Sequence, residues 1–219
     1  MRLITPDFLH AEFFMKNDHQ DGIDDFPRIS PSQVHGANII HVDDTNFADY
    51  VLPSRPEADG ILLITTRAGA SLRFADCAPV MLWGKFWVMI LHSGYKGTVL
   101  NISGKGVELV KNICAVSEVC AWVGPCIGRE HYCRDIGDEW TERGRTSFHA
   151  ENYDTRGSKI YFDLAGEIRT QLLEAGVREE NITLSGRDTF TDSDCYSYRR
   201  GDKTDRMMLY VKLLHIPKN

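Results

Sequence analysis

Four short runs of apolar and β-branched residues follow one another between residues 61 and 91, at 61–66, 71–74, 79–83 and 86–91. Runs of this length, bounded by glycine, proline and polar residues, are typical of β-strands. Because only a few residues separate them, we expect them to pair as neighbours in one sheet. The last two, joined at Gly84 and Lys85, are expected to form a hairpin.

Two amphipathic helices are predicted outside these strands. The first covers residues 98–114, whose apolar positions share one stripe. The second covers residues 163–176, beginning at Asp163, a favourable N-cap, and ending at Gly176. Further strands are predicted at 119–123, 182–185 and 207–214, and loops at 16–28 and 43–60. Strands in runs, then interleaved with helices, indicate the α+β class, a mixed sheet covered by helices in a single domain over residues 1–219.

Composition narrows the classes of function. The chain of 219 residues carries a net charge of −6, which offers no electrostatic attraction for nucleic acid or an anionic membrane. No apolar stretch is long enough to cross a bilayer, and the first residues lack the apolar core of a signal peptide. We therefore expect a cytoplasmic protein. Six cysteines are present, none in a CxxC pair, so most are expected to be buried small residues.

Three short motifs place a metal-ligating side chain beside glycine or proline at the end of a predicted strand. They are QVHG at 33–36, ADCAP at 75–79 and HSGYKG at 92–97. Two imidazoles and a thiolate would leave a tetrahedral ion one open position, as catalytic sites require. The expected hairpin could bring Cys77 and His92 together. From the residues alone, His35, Cys77 and His92 could equally be hydrogen-bonded structural residues.

Other segments could bind an anion. Gly94 and Gly97 allow tight turns before a helix, and Lys96 lies between them. A second glycine–proline turn occupies residues 124–128. Arg199 and Arg200 could hold a phosphate or carboxylate between them, or could be a solvated surface pair.

Taken together and in this order, these motifs resemble those of the YfiH family, long labelled multicopper polyphenol oxidases or laccase-domain proteins. The family runs QVHG, ADC with a following proline, HAGWRG, GP-x-IG and SYRR, and the resemblance spans about residues 32–214. It implies an α/β sandwich with metal ligands at His35, Cys77 and His92. It also implies a zinc-dependent purine nucleoside phosphorylase, with adenosine deamination and methylthioadenosine phosphorolysis at the same site. Bacterial relatives are also described as peptidoglycan-editing factors.

This chain departs from the family pattern around the ligands. The tryptophan and arginine of HAGWRG are Tyr95 and Lys96, so a bidentate donor has become a point charge. The Cys-Thr pair usual before SYRR begins with Asp188, and the glycine of the later Gly-Arg is Asp205. The family's Ser-Leu-Asn and Asn-Arg elements do not occur upstream of QVHG. Metal binding is therefore a firmer expectation than any particular activity.

The leading hypothesis is zinc-assisted attack of phosphate or water on a purine nucleoside. Lys96, Arg199 and Arg200 are the predicted phosphate-binding residues, and Asp76 and Asp188 could move protons. The alternative is a copper-dependent polyphenol oxidoreductase, although the six other histidines form none of the His-x-His pairs of a multicopper cluster. A third hypothesis is a binding or editing protein that keeps the metal for stability. The expected partners are small molecules, with zinc, or alternatively copper, as the cofactor.

Overall fold

A computed structural model describes residues 1–20, 23 and 25–216. Its larger sheet has six strands and places the predicted hairpin at its centre. The outermost strand on each side pairs in parallel with its neighbour, and the inner strands are antiparallel. Across the sheet these strands are β12 (Ile182–Leu184), β8 (Cys120–Val123), β6 (Ala78–Gly84), β7 (Trp87–Ser93), β4 (Gly60–Leu63) and β3 (Ile39–Val42).

Two smaller sheets complete the strands. A four-stranded sheet packs on one face of the larger one, and a three-stranded sheet lies between residues 133 and 162. The four-stranded sheet comprises β1 (Leu9–Phe14), β13 (Met207–Leu213), β5 (Gly69–Phe74) and β2 (Arg28–Ile29). The three-stranded sheet comprises β10 (Tyr153–Arg156), β11 (Lys159–Phe162) and β9 (Cys133–Asp135).

Five α-helices lie within the described residues, and two of them cover the second face of the larger sheet. They are α1 (Phe47–Tyr50), α2 (Tyr95–Val99), α3 (Ile102–Val110), α4 (Glu139–Ser147) and α5 (Leu164–Glu174). None of the helices within the described ranges has the length and apolarity needed to span a membrane.

The central hairpin is buried on both faces. Successive side chains of a strand point to opposite sides, and each side of the hairpin packs against another layer. Met81 and Ile90 pack against the four-stranded sheet. Leu82 and Leu91 pack against α3 and α5 on the opposite face. The result is a sandwich of sheet, sheet and helices, so the predicted α+β class is confirmed.

Some predicted elements need correction. The helix expected over 98–114 is two helices, because Asn101 adopts left-handed φ and ψ of 54° and 50° and caps α3 by accepting a hydrogen bond from the Gly104 amide. The strand predicted at 71–74 belongs to the four-stranded sheet rather than to that of its neighbours. A short helix, α1, lies in the loop expected over 43–60. The loop expected over 16–28 falls partly outside the described residues.

Candidate metal centre and cleft

His92 is the last residue but one of the central strand β7 and is buried, 3% exposed. Its Nδ1 shares a hydrogen bond of 3.0 Å with Oδ1 of Asp59, and its backbone amide donates to the Asp59 carbonyl at 2.7 Å. With Nδ1 engaged, Nε2 is the ring nitrogen left for a ligand. A carboxylate behind a ligating histidine is the usual means of fixing the ring of a metal ligand.

Asp59 also shapes the loop that carries His35. Its carboxylate is fully buried and accepts hydrogen bonds from the amides of His35 at 3.0 Å and Gly36 at 2.6 Å, with a longer contact of 3.3 Å from Val34. These bonds hold His35 at a φ of 59°, a left-handed conformation that is uncommon outside glycine. Burial disfavours the charge on Asp59, but the hydrogen bonds from His92 and Gly36 outweigh it and lower its pKa. One carboxylate therefore positions both histidines.

Cys77 reaches the same point from the turn between β5 and β6. Register pairing of Pro79 with His92 across the hairpin brings Cys77 beside β7, as expected. The rings of His35 and His92 lie 4.9 Å apart between centroids. The three potential ligand atoms, one from each of His35, Cys77 and His92, all lie within 4.8 Å of one another.

This donor set fits a tetrahedral ion. At ordinary zinc–nitrogen and zinc–sulfur bond lengths, two donors of a tetrahedral ion lie roughly 3.3 to 3.6 Å apart. The three donor atoms, which lie within 4.8 Å of one another, would move slightly closer on binding an ion. Gly94 keeps the space beside the sulfur open, since a Cβ at this position would lie 2.7 Å from Sγ of Cys77. Any larger residue at this position would collide with the sulfur of Cys77.

Cys77 and His92 are also coupled electrostatically. Burial raises the pKa of a thiol, but attraction to His92 and hydrogen bonds from both histidines prevail and lower the pKa of Cys77 to about 6. Burial likewise disfavours a charged His92, yet Cys77 and Asp59 raise its pKa to about 9. The cluster thus favours the thiolate, which is the form that ligates a metal.

A cleft opens on the cluster and divides into two lobes. They share a wall that consists of His35, Asp76, Cys77 and Tyr132. The first, here called the aromatic lobe, has a volume of about 260 Å³ and is completed by Val34, Tyr95, Lys96, Ile127, Arg134 and Leu164. The second, the arginine lobe, has a volume of about 680 Å³ and is completed by Gln33, Arg73, Ala75, His92, Tyr198, Arg199, Thr204 and Arg206.

Asp76 lies in the shared wall with both carboxylate oxygens engaged. Oδ1 accepts from the Thr189 hydroxyl at 2.7 Å, and Oδ2 accepts from the Arg199 amide at 2.7 Å. The residue is buried at a φ of 79°. These contacts join the turn before Cys77 to the segment that carries Arg199.

The predicted cationic residues separate in the structure. Lys96 lines the aromatic lobe and Arg199 the arginine lobe. Arg200 lines neither, which corrects its expected place: its guanidinium donates to the carbonyls of Thr189, Phe190, Asp192 and Cys195 and to the carboxylate of Asp202. With its donors used inside the protein, Arg200 holds the segment that presents its neighbour.

Arg73 and Arg206 in the arginine lobe and Arg134 in the aromatic lobe were not predicted. Arg73 is the one exposed position of the otherwise buried strand β5, a signal that the sequence alone contains. No described residue forms an ion pair or hydrogen bond with its guanidinium. Asp59 was not predicted either. An aspartate directly before a fully buried strand is itself expected to be buried, and a buried carboxylate needs hydrogen-bond donors.

Asp188, one of the departures from the family pattern, lies outside both lobes. Its Oδ2 is 2.6 Å from Nδ1 of His131, and its Oδ1 accepts from the amides of Gly128 and Phe190 at 2.9 Å each. The ring of His131 stacks on Phe190 with centroids 4.4 Å apart. Through its hydrogen bond from the Gly128 amide, Asp188 stabilises the turn at 124–128.

Among the described residues, one His–Cys–His cluster could hold a metal ion, and it opens to a two-lobed cleft. Together with the mixed α/β sandwich, this places the chain among candidate single-metal proteins. The chain belongs to the family described as multi-copper polyphenol oxidoreductase laccase, whose family model matches residues 19–214. This confirms the resemblance found in the sequence.

Named relatives and solved structures agree with this assignment. A purine nucleoside phosphorylase of Deinococcus radiodurans is 34% identical over 194 residues, covering 87% of this chain and 71% of that protein. Purine nucleoside phosphorylase YlmD of Geobacillus stearothermophilus is 31% identical over 194 residues, covering 82% and 69%. The structure of Bacillus licheniformis hypothetical protein YfiH superposes with a TM-score of 0.80 at 23% identity, covering 94% of this chain and 92% of that one. The last similarity shows the fold.

Proposed function

We propose that this chain is a zinc-dependent purine nucleoside phosphorylase, with adenosine deamination and methylthioadenosine phosphorolysis as further reactions of the same site. The observation that carries the proposal is the position of His35, Cys77 and His92 in and beside the wall between two chemically different lobes. Relatives named purine nucleoside phosphorylase support it.

His35, Cys77 and His92 would hold the ion and leave one position of a tetrahedral centre open to the cleft. When bound, zinc supplies Lewis-acid polarisation of an oxygen nucleophile or substrate oxygen. Asp59 maintains the ring orientation of His92 and the loop conformation of His35.

The two lobes suit the two parts of the reaction. Tyr95 and Tyr132 give the aromatic lobe flat apolar surface for a purine ring. Arg73, Arg199 and Arg206 give the arginine lobe three guanidinium groups for a phosphate. Phosphate held there would meet the ribose of a nucleoside whose base occupies the aromatic lobe, close to the shared wall.

The second candidate, a copper-dependent polyphenol oxidoreductase, is favoured by the description of the family itself. A His–Cys–His set can bind copper. Reducing dioxygen to water at a multicopper centre takes many further imidazoles, and within the described ranges only one group of donors is close enough to hold an ion. His131 and His149 are instead paired with carboxylates. A binding or peptidoglycan-editing protein that keeps the metal for stability is the third candidate.

The test begins with protein purified without a metal-binding tag. Zinc and copper are quantified, and adenosine and inosine are incubated with and without phosphate, with products separated by chromatography. Cys77→Ala is compared with Cys120→Ala, a free thiol on β8 outside the cluster. We expect about one zinc per chain and phosphate-dependent release of base, both lost only in Cys77→Ala. Zinc without turnover would favour the editing or binding candidate, and copper with phenol oxidation would favour the second.

A further inference from the structure

The aromatic lobe presents hydrogen-bond donors to whatever enters it and few acceptors. Lys96 lines the lobe, and no described residue forms a hydrogen bond or ion pair with its ammonium group. Its Nζ lies 4.8 Å from the ring centroid of Trp140, a contact that places the charge without using its N–H donors. The ammonium therefore keeps its donors for a ligand.

The other polar groups of the lobe are already engaged as a network. Arg134 donates to the Thr141 hydroxyl at 3.2 Å and to Asp138 at 2.6 Å. The Tyr95 hydroxyl donates to the Trp140 carbonyl at 2.9 Å. These bonds fix the aromatic walls and leave Lys96 as the adaptable donor.

A single carboxylate, that of Asp76, lines the lobe, and both of its oxygens already accept hydrogen bonds. Binding the exocyclic amine of a 6-aminopurine requires an acceptor. Binding the O6 and N7 edge of a 6-oxopurine requires donors, because both atoms are acceptors, and a lysine or arginine is the usual partner of that edge. The balance of the lobe therefore matches the second edge.

We infer that Lys96 makes the site prefer 6-oxopurines, the bases of inosine and guanosine, over 6-aminopurines, so that adenosine and methylthioadenosine would be the weaker substrates of the same site. The inference rests on the proposed function, since it assigns the aromatic lobe to the base. Either a lysine or an arginine at this position can contact O6 and N7 together, so Lys96→Arg is the conservative variant.

The experiment measures binding rather than turnover, using the protein as purified, first without phosphate and then with inorganic phosphate as a competitor. Hypoxanthine and adenine are titrated calorimetrically into the unmodified protein, Lys96→Met and Lys96→Arg. Lys85→Met is the control, because Lys85 lies in the turn at the far end of the β6–β7 hairpin. Thermal unfolding checks that each variant is folded.

We expect hypoxanthine to bind more tightly than adenine by roughly 5- to 150-fold, the range of one well-made contact to a base edge. Lys96→Met should remove most of that preference by weakening hypoxanthine alone, while Lys96→Arg and Lys85→Met keep it. Equal binding of the two bases, or a preference that survives Lys96→Met, would overturn the inference and leave the phosphorylase proposal standing. Phosphate competing with hypoxanthine in a Lys96-dependent manner would assign Lys96 to the phosphate and overturn it as well. Binding of neither base would overturn the inference, and the turnover assay with adenosine and inosine decides the phosphorylase proposal separately.

Discussion

Replacing Asp59 by asparagine tests how far one buried carboxylate organises the metal centre. The substitution keeps the size of the side chain but exchanges an oxygen for an NH2 group, which cannot accept from a backbone amide. Asp59 accepts from the amides of His35 and Gly36 and bonds to Nδ1 of His92. In either orientation of the asparagine, at least one of these donors loses its acceptor.

Each donor left unsatisfied costs about 1–3 kcal/mol, so we expect the free energy of unfolding of metal-free Asp59→Asn to fall by at least about 1–3 kcal/mol. Zinc affinity should fall by about 10- to 100-fold, the usual effect of removing the partner of a ligating histidine. Chelator competition measures the affinity, and urea denaturation of the metal-free protein measures the stability. Asp7→Asn, at an exposed residue, is the control.

Unchanged zinc affinity in Asp59→Asn would refute the argument that this carboxylate positions the ligands. A loss of stability without a loss of affinity would make Asp59 a support of the loop alone.

Four further outcomes follow from the same geometry. Gly94→Ala should lose most of its zinc, because the new Cβ would lie 2.7 Å from Sγ of Cys77; a full complement by elemental analysis would contradict this. The pKa of Cys77 is lowered to about 6, and only the thiolate reacts with iodoacetamide. In metal-free protein, the alkylation rate should therefore rise as the pH increases through that pKa and become constant about one pH unit above it. A rate still rising towards the pKa of an ordinary thiol would refute the lowered value. Arg73→Ala should raise the KM for phosphate about tenfold and have little effect on the melting temperature. Arg200→Ala should lower the free energy of unfolding by about 2 kcal/mol, because it leaves carbonyls unpaired. Steady-state kinetics and thermal melts distinguish the two effects. Removing zinc by chelation should abolish phosphorolysis at concentrations that leave the circular dichroism spectrum intact, and simultaneous unfolding would indicate a structural ion.

The sequence was most informative where chemistry and strand ends coincide. The structure brings together His35, Cys77 and His92, which the sequence motifs singled out. Cys77 and His92 lie at the outer end of the β6–β7 hairpin, whereas His35 comes from the loop between β2 and β3. The hairpin between Cys77 and His92 was predicted correctly, since a two-residue turn fixes which residues face each other.

Prediction failed where tertiary contacts decide. The helical pattern of 98–114 continues through Asn101, so periodicity could not reveal the break there. Helix α4 buries only Thr141 and Gly144 and has no apolar stripe to detect. The two adjacent arginines differ because the guanidinium of Arg200 donates to four carbonyls and a carboxylate that come together only in the fold. The guanidinium of Arg199 lines the cleft and makes longer contacts, of 3.3 and 3.4 Å, with the carbonyls of His131 and Cys133.

The placement of β13 between β1 and β5 has a consequence for how the centre matures. Residues 207–213 pair with residues 9–14 and 69–74, so the four-stranded sheet has a high contact order and cannot close until nearly all of the described chain has left the ribosome. The cleft draws on residues from 33 to 206. Loading with metal is therefore expected to follow synthesis rather than accompany it, and an arrested nascent chain ending before residue 207 should fail to retain zinc.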